Sequence, residues 1–285
     1  MARLIPMSRL ILCADDFGYS PGINEAILSL GRQSALSATS VIVTRNHWQA
    51  DASALQELEA TMDIGLHLTL SQLAPLGHHP HLAPWGTLPN IDRLTWLAYR
   101  NNRDFSVILG EIADEIERQF DRFESVMKRP PDFIDGHQHC HVLPHIRELV
   151  LTTTARRAPG VWMRNCADHP LRILRRGGDR LRALRSAWLG RGLASEAREH
   201  GLKTNDSFAG YYDFSPTAPF EALCHNFLSE AGDVHLVMCH PGNGQAPGDR
   251  IALARQHEYQ FLASPAAARV IAEKNLQLGP FPRTK

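Results

Sequence analysis

The sequence predicts an α/β fold in a single domain, residues 1–285, with a parallel sheet and crossover helices. Short apolar runs of strand length alternate along the chain with stretches of helical period, and parallel strands require such crossovers. At 285 residues the chain is long for one simple core, yet a single (β/α) barrel commonly fills roughly 250. Polar motifs stand at or near the ends of four of the predicted strands, where loops converge in folds of this class.

Each element follows from its local pattern. Arg9 to Ala14 (R-L-I-L-C-A) is a buried strand, and Asp15-Asp16-Phe17-Gly18 follows it. Ser20-Pro21 supplies a serine cap and a proline in the first turn of a helix marked by Ile23, Ala26, Ile27 and Leu30. Ser40 to Thr44 is a second strand, Trp48 to Ala60 a second helix, and Ile64 to Leu70 a third strand with His67 inside it. From Ser71 to Asp104, four prolines (Pro75, Pro80, Pro84, Pro89) and the lack of a sustained period predict a long insert over the active-site face.

Phe105, Ile108, Leu109, Ile112, Ile116, Phe120, Phe123 and Met127 fall at helical spacing and define an amphipathic helix. Asp132 to Asp135 is a strand that runs into His137, His139 and His141, which would share one face in extended backbone. Pro144 to Arg157 is a helix, and Val161 to Met163 a strand that ends at Arg164-Asn165. The arginine-crowded stretch 171–191 reads as the solvated basic face of a surface helix in preference to a polyanion site. Lys203 to Gly210 is a polar loop in which Asn205 and Asp206 could touch substrate. Pro219 to Ser229 is helical, Val234 to Cys239 is a strand followed by His240-Pro241-Gly242, and Ser264 to Lys274 is a last helix before a short tail.

Composition narrows the partners. Thirty basic residues balance thirty acidic ones, so no global field points to nucleic acid or an acidic membrane. The five cysteines are scattered and form no C-x-x-C pair, which fits a reducing, cytoplasmic setting. Arg3 and Arg9 precede an apolar run too short and too abruptly followed by aspartates for a signal peptide or a membrane span. No repeat or low-complexity tract is visible.

Taken singly, each polar motif has an ordinary structural explanation. Asp15 or Asp16 alone could cap the next helix, and His67, between Leu66 and Leu68, could be a satisfied core histidine. The alternation of three histidines is harder to explain without metal binding or catalysis, because imidazole is the commonest transition-metal ligand. Cys13, Cys140 and Cys239 are expected to face away from their polar neighbours and to pack.

Taken together, A-D-D-F-G at Ala14 to Gly18, G-L-H-L at Gly65 to Leu68, D-G-H-Q-H at Asp135 to His139 and H-P-G at His240 to Gly242 resemble, in order and spacing, the YdjC-like (chitooligosaccharide deacetylase-like) carbohydrate deacetylase family. The likeness runs from Leu10 to about Gly244, with T-N-D-S-F-A-G at Thr204 to Gly210 also similar. It implies a distorted (β/α) barrel, TIM-barrel-like with an incomplete or irregular strand set. It implies hydrolysis of an N-acetyl group from an acetylated amino-sugar substrate with one divalent metal ion. Carried over by motif, Asp16, His67 and His137 would be the metal ligands, Asp15 the general base and His240 a general acid. The resemblance suggests Mg2+, whereas two imidazoles favour Zn2+ or a similar ion.

The remaining roles stay open at this point. His139 could orient a ligand, contact substrate or serve as an alternative ligand. Arg164 could bind a carboxylate or a sugar hydroxyl, or orient Asp15. Adjacent strand residues face opposite ways, so Asp15 and Asp16 can serve one ion only if the chain bends at the strand end. Trp85, Trp96 and Tyr99 could stack on sugar rings, cover the barrel or form a homodimer contact. The rival readings are hydrolysis of another amide or a phosphoester at the same metal, and a non-catalytic sugar-binding protein.

Overall fold

The computed structural model describes residues 7–100, 103–244 and 246–283. Arg3 of the N-terminal run and Asn101 and Asn102 of the insert therefore lie outside the described residues. Among the described residues the strands are β1 (Ser8–Phe17), β2 (Ala38–Val41), β3 (Asp63–Leu68), β4 (Phe133–Gly136), β5 (Trp162–Met163), β6 (Lys203–Thr204), β7 (Ser207–Ala209), β8 (Val234–Cys239) and β9 (Leu276–Leu278). Every ladder is parallel, in the order β6-β5-β4-β3-β2-β1-β8-β7, with β9 beside the start of β1. β6 and β7 are consecutive in the chain yet lie at the two ends of this order. The Asn205-Asp206 link thus joins the ends, and the curled sheet is an irregular (β/α) barrel closed there by chain, not by a ladder.

β1 lies inside the sheet, between β2 and β8, because it can be buried on both faces. Leu10, Ile11, Leu12, Cys13 and Ala14 are all at most 1% exposed, and each large aliphatic side chain so buried contributes about 1.5–3 kcal/mol. The next helix, Pro21–Arg32, starts as its sequence dictates, with Ser20 Oγ accepting from Ile23 N at 3.4 Å and proline in the first turn. Such a cap is worth about 1 kcal/mol.

β1 also bends where two carboxylates must share a site. Ala14 pairs with Thr39 but Phe17 with Val41, so one extra residue is accommodated in β1, and Asp16 carries it at φ 71°. Such a bulge re-aims a side chain and is commonest beside active sites. The bend expected from the sequence is therefore a left-handed residue inside β1, ahead of Phe17-Gly18.

Several expected elements differ. β2 begins at Ala38 and ends at Val41, not Thr44, because its partner β1 ends at Phe17, which pairs with Val41 beyond the bulge. The expected helix 48–60 is two short turns, His47–Ala50 and Ala52–Gln56, divided at Asp51, whose carboxylate takes Asn24 Nδ2 at 2.8 Å. The amphipathic helix is Arg103–Met127, with Phe105, Ile112, Ile116, Phe120 and Phe123 fully buried.

The insert is not structureless. It contains the helix Ile91–Arg100, which buries only Leu94 and Ala98 and so leaves a weak apolar stripe in sequence. Its earlier part is tied to one face of the long helix. Glu115 accepts from Leu76 N and Gly77 N at 3.0 Å, and Glu111, one turn earlier, accepts from Leu82 N at 2.6 Å.

The expected helix 171–191 is broken into Pro170–Arg176 and Arg180–Leu189 by Gly177 and Gly178, both at positive φ. Most of its arginines are at the surface as expected, but Arg176 is buried and donates to the carbonyls of Phe208, Ser229 and Glu230. The expected loop Lys203–Gly210 contains β6 and β7, the two end strands of the order. The helices Leu193–Glu199 and Ala252–Leu262 and the strand β9 had no counterpart in the sequence reading. No helix of the described residues is long and apolar enough to cross a membrane.

Candidate active site

The carboxyl ends of β1, β3, β4, β5 and β8 converge on a cluster of buried polar groups. Asp16 Oδ1 lies 3.1 Å from His137 Nδ1 and 3.4 Å from His67 Nε2. The three ligand atoms are mutually within 4.8 Å. Donors held about 2.1 Å from one ion are separated by about 3.0 Å along an octahedral edge and about 3.4 Å along a tetrahedral one. Both observed separations fall on these values, so the residues fit a divalent ion.

The partners of His67 support the same fit. Its Nδ1 lies 2.7 Å from Asp135 Oδ1 and 2.9 Å from Ser40 Oγ. The proton at Nδ1 is donated to the carboxylate and Nε2 is left facing Asp16, the arrangement usual for a metal-bound imidazole. Burial alone would push His67 down, but Asp135, with Asp16 and Asp15, reverses this and raises it to about 10. A cation arriving at Nε2 must displace that proton. The side chains of Asp15, Asp16, Asp135 and Asp249 also outnumber the guanidinium groups of Arg164 and Arg255 by two formal charges, which a divalent cation would neutralise.

Beside this triad, Asp15 is held by a guanidinium fork. Arg164 Nη1 donates to Asp15 Oδ2 at 2.7 Å and Nη2 to Oδ1 at 2.5 Å, while Nη2 stands 2.6 Å from Asp135 Oδ2. Burial raises the Asp15 carboxyl, but Arg164 more than offsets it and the group lies well below the usual carboxylate range. Of the roles open to Arg164, the structure places it on Asp15. His240 Nε2 is 3.8 Å from Asp15 Oδ2. Burial pushes His240 down to about 4, so the imidazole is neutral at pH 7.

The other sequence-predicted residues are elsewhere. The histidine run is not extended: it forms a 3-10 turn, His137–Val142, in which Gln138 and His139 take left-handed φ of 53° and 59°. The turn separates the three rings. His137 stays with Asp16, His141 Nε2 bonds Arg164 O at 2.9 Å, and His139 packs among Cys166, Phe208 and Tyr211. Asn205 is buried and bonds the backbone of Asn165 and Ser207, a structural role that joins β5 to β7. Asp206 accepts from Val234 N, the first residue of β8 and its end remote from His240.

Cys13 corrects a further expectation. Residues two apart on a strand share a face, so it lies beside Asp15, with Sγ 3.7 Å from Asp15 Oδ1 and 3.2 Å from Arg164 Nη2. Burial pushes its thiol well up, and it packs as a neutral group. Trp85 is 91% exposed, Trp96 lies under Arg93 and Arg100, and Tyr99 stacks on Trp188.

Sequence reasoning missed Asp135, Ser40, Arg255 and Glu258. Asp135 was legible as the first residue of D-G-H-Q-H, next to His67 once β3 and β4 pair in register. Arg255 Nη2 donates to Asp16 Oδ2 at 2.6 Å, and Glu258 Oε2 accepts from His240 N while Oε1 takes Tyr212 O–H at 2.5 Å. Both belong to the helix Ala252–Leu262, and nothing in R-Q-H-E-Y separates them from surface charges.

Comparison with known proteins places the geometry in a family. The family model described as YdjC-like protein matches residues 9–273. A chitooligosaccharide deacetylase of Yersinia pestis (strain Pestoides F) is 29% identical over 284 residues, covering 95% of this chain and 97% of the relative. The same figures hold for the chitooligosaccharide deacetylase of Yersinia pseudotuberculosis serotype O:1b (strain IP 31758). A crystal structure from Enterococcus faecalis V583, described provisionally as a cellobiose-phosphate cleavage protein, superposes with a TM-score of 0.74 at 18% identity, covering 96% of this chain and 97% of the other.

Proposed function

We propose that this chain, which belongs to the YdjC-like protein family, is a metal-dependent hydrolase that removes the N-acetyl group from an N-acetylated amino sugar in a short oligosaccharide or glycan precursor. The observation that carries this reading is the meeting of Asp16, His67 and His137 around one point, with the Asp15–Arg164 pair alongside. The names of the Yersinia relatives support an acetylated saccharide as substrate. Five free, buried cysteines support a reducing, cytoplasmic setting.

Asp16, His67 and His137 would hold one divalent ion, and their two imidazoles favour zinc or a similar ion over magnesium. When bound, such an ion lowers the pKa of water toward about 7 and polarises the acetyl carbonyl. Asp15 takes the proton of the attacking water. Arg164 fixes both oxygens of that carboxylate, so it remains ionised and aimed without a search through rotamers.

His240 serves the leaving group. Because its imidazole is neutral in the free protein, it must gain a proton within the cycle, and Asp15 Oδ2, 3.8 Å from Nε2, is the nearby donor. The water oxygen bonds to the acetyl carbon, the C–N bond breaks, and the proton reaches the amine nitrogen through His240. Acetate and the free amino sugar leave.

Acetate release across a panel of acetylated saccharides, with and without chelator, tests this. Release from N-acetylated chitooligosaccharides that stops on chelation and returns with added metal is expected. Hydrolysis of generic phosphate esters without acetate release would overturn it.

A further inference from the structure

We infer that Arg255 is a positioning residue that holds Asp16 as a one-oxygen metal ligand, an inference that rests on the ligand set proposed above. Arg255 Nη2 donates to Asp16 Oδ2 at 2.6 Å, whereas Oδ1 is the oxygen that faces His137 at 3.1 Å and His67 at 3.4 Å. The two oxygens are thus divided between a guanidinium and the metal position. A free carboxylate can bind an ion through one oxygen or both. With Oδ2 occupied by Arg255, Asp16 takes one coordination place, and a further place remains for water or the acetyl oxygen.

The guanidinium is itself fixed from two directions. Asp249 Oδ2 accepts from Arg255 Nε at 2.9 Å, with both side chains 5% exposed. Independently, the chain leaves room for the arginine stem at Gly242, the last residue of H-P-G. A Cβ at Gly242 would stand 3.1 Å from Arg255 Cδ, 3.2 Å from its Cβ and 3.1 Å from Ile23 Cγ1. Gly242 N also donates to Arg255 O at 3.1 Å. A side chain at 242 would crowd the stem where Arg255 passes on its way to Asp16.

A guanidinium that merely offset buried charge would, when lost, tighten cation binding with no change of ligands, and one that only propped up the fold would weaken it. A guanidinium that withholds Oδ2 would, when lost, free a second ligand atom. The test titrates the full-length, metal-free chain with Co2+ alone and follows its visible absorption, in wild type, Arg255→Met and Arg255→Lys.

Arg255→Met is expected to bind one Co2+ at least as tightly as wild type, with a weaker absorption band that reports an added ligand. Its kcat for acetate release is expected to fall about 10- to 100-fold with KM little changed. Arg255→Lys, which keeps one charged donor toward Oδ2, is expected to recover the wild-type band. A wild-type band in Arg255→Met, or a tenfold or greater loss of Co2+ affinity, would overturn the proposal.

Should Arg255→Met fail to fold, Arg255→Gln, an uncharged side chain too short to reach Oδ2, takes its place. A weakened band supports the proposal, and an unchanged band overturns it. Failure of the ligand set has a different signature: a wild-type chain that takes up no Co2+, or a His67→Ala/His137→Ala chain that takes up as much.

Discussion

His67 is gripped from two sides: Nδ1 lies 2.7 Å from Asp135 Oδ1, and Nε2 lies 3.4 Å from Asp16 Oδ1. The ring therefore links a fully buried carboxylate, on the neighbouring strand, to the proposed metal position.

That link sets the pH dependence of metal binding. The proton on His67, whose folded-state pKa is raised to about 10, must leave before an ion can take Nε2. Metal affinity is expected to rise with pH from 6 to 9, by at most about tenfold per unit from this group. The same shift stabilises the metal-free fold fully below pH 6.5, and that contribution is lost as pH rises through about 10. Calorimetric titration at several pH values, in buffers of different ionisation enthalpy, should also detect the released proton. A pH-independent affinity would count against His67 as a ligand.

Asp135→Asn keeps the shape of the partner but removes its charge. Metal affinity is expected to fall about 10- to 100-fold, measured by competition with a chelating dye. The neighbouring Arg164 would keep its two bonds to Asp15, so loss of folding would not be the expected outcome.

Asp15→Asn should separate chemistry from metal binding. Metal content is expected to match wild type while turnover falls about 100- to 10,000-fold, the usual contribution of a general base. His240→Ala should lower turnover within the same range. A normal rate of acetate release in either variant would remove that residue from the mechanism.

Gly65, in G-L-H-L, tests packing beneath the site. A Cβ there would meet Phe133 ring atoms at 2.5 Å, and that ring stacks on Trp162 with centroids 4.0 Å apart. Gly65→Ala is expected to destabilise the fold by about 1–3 kcal/mol, read as a lower denaturant midpoint. Wild-type stability would mean that the Phe133 ring moves freely, contrary to its burial.

Much of this architecture was legible because the polar groups sit on strands whose apolar runs are unmistakable. Asp15, Asp16, His67, His137 and His240 each follow or interrupt such a run, and a parallel α/β sheet brings strand ends together. The spacing of the histidine run misleads because period two implies extended backbone, whereas left-handed Gln138 and His139 turn it after His137. The segment 203–210 looks like a loop in sequence because its strands are two and three residues long, too short for a pattern. Arg255 and Glu258 were invisible for another reason. A buried charge on a helix resembles a surface charge until its partner, here more than two hundred residues away for Arg255 and Asp16, is in place.

Elemental analysis of metal-loaded protein tests the central claim most directly. Wild type is expected to carry one divalent ion per chain, and the His67→Ala/His137→Ala double variant almost none. Full occupancy in that double variant would contradict the account.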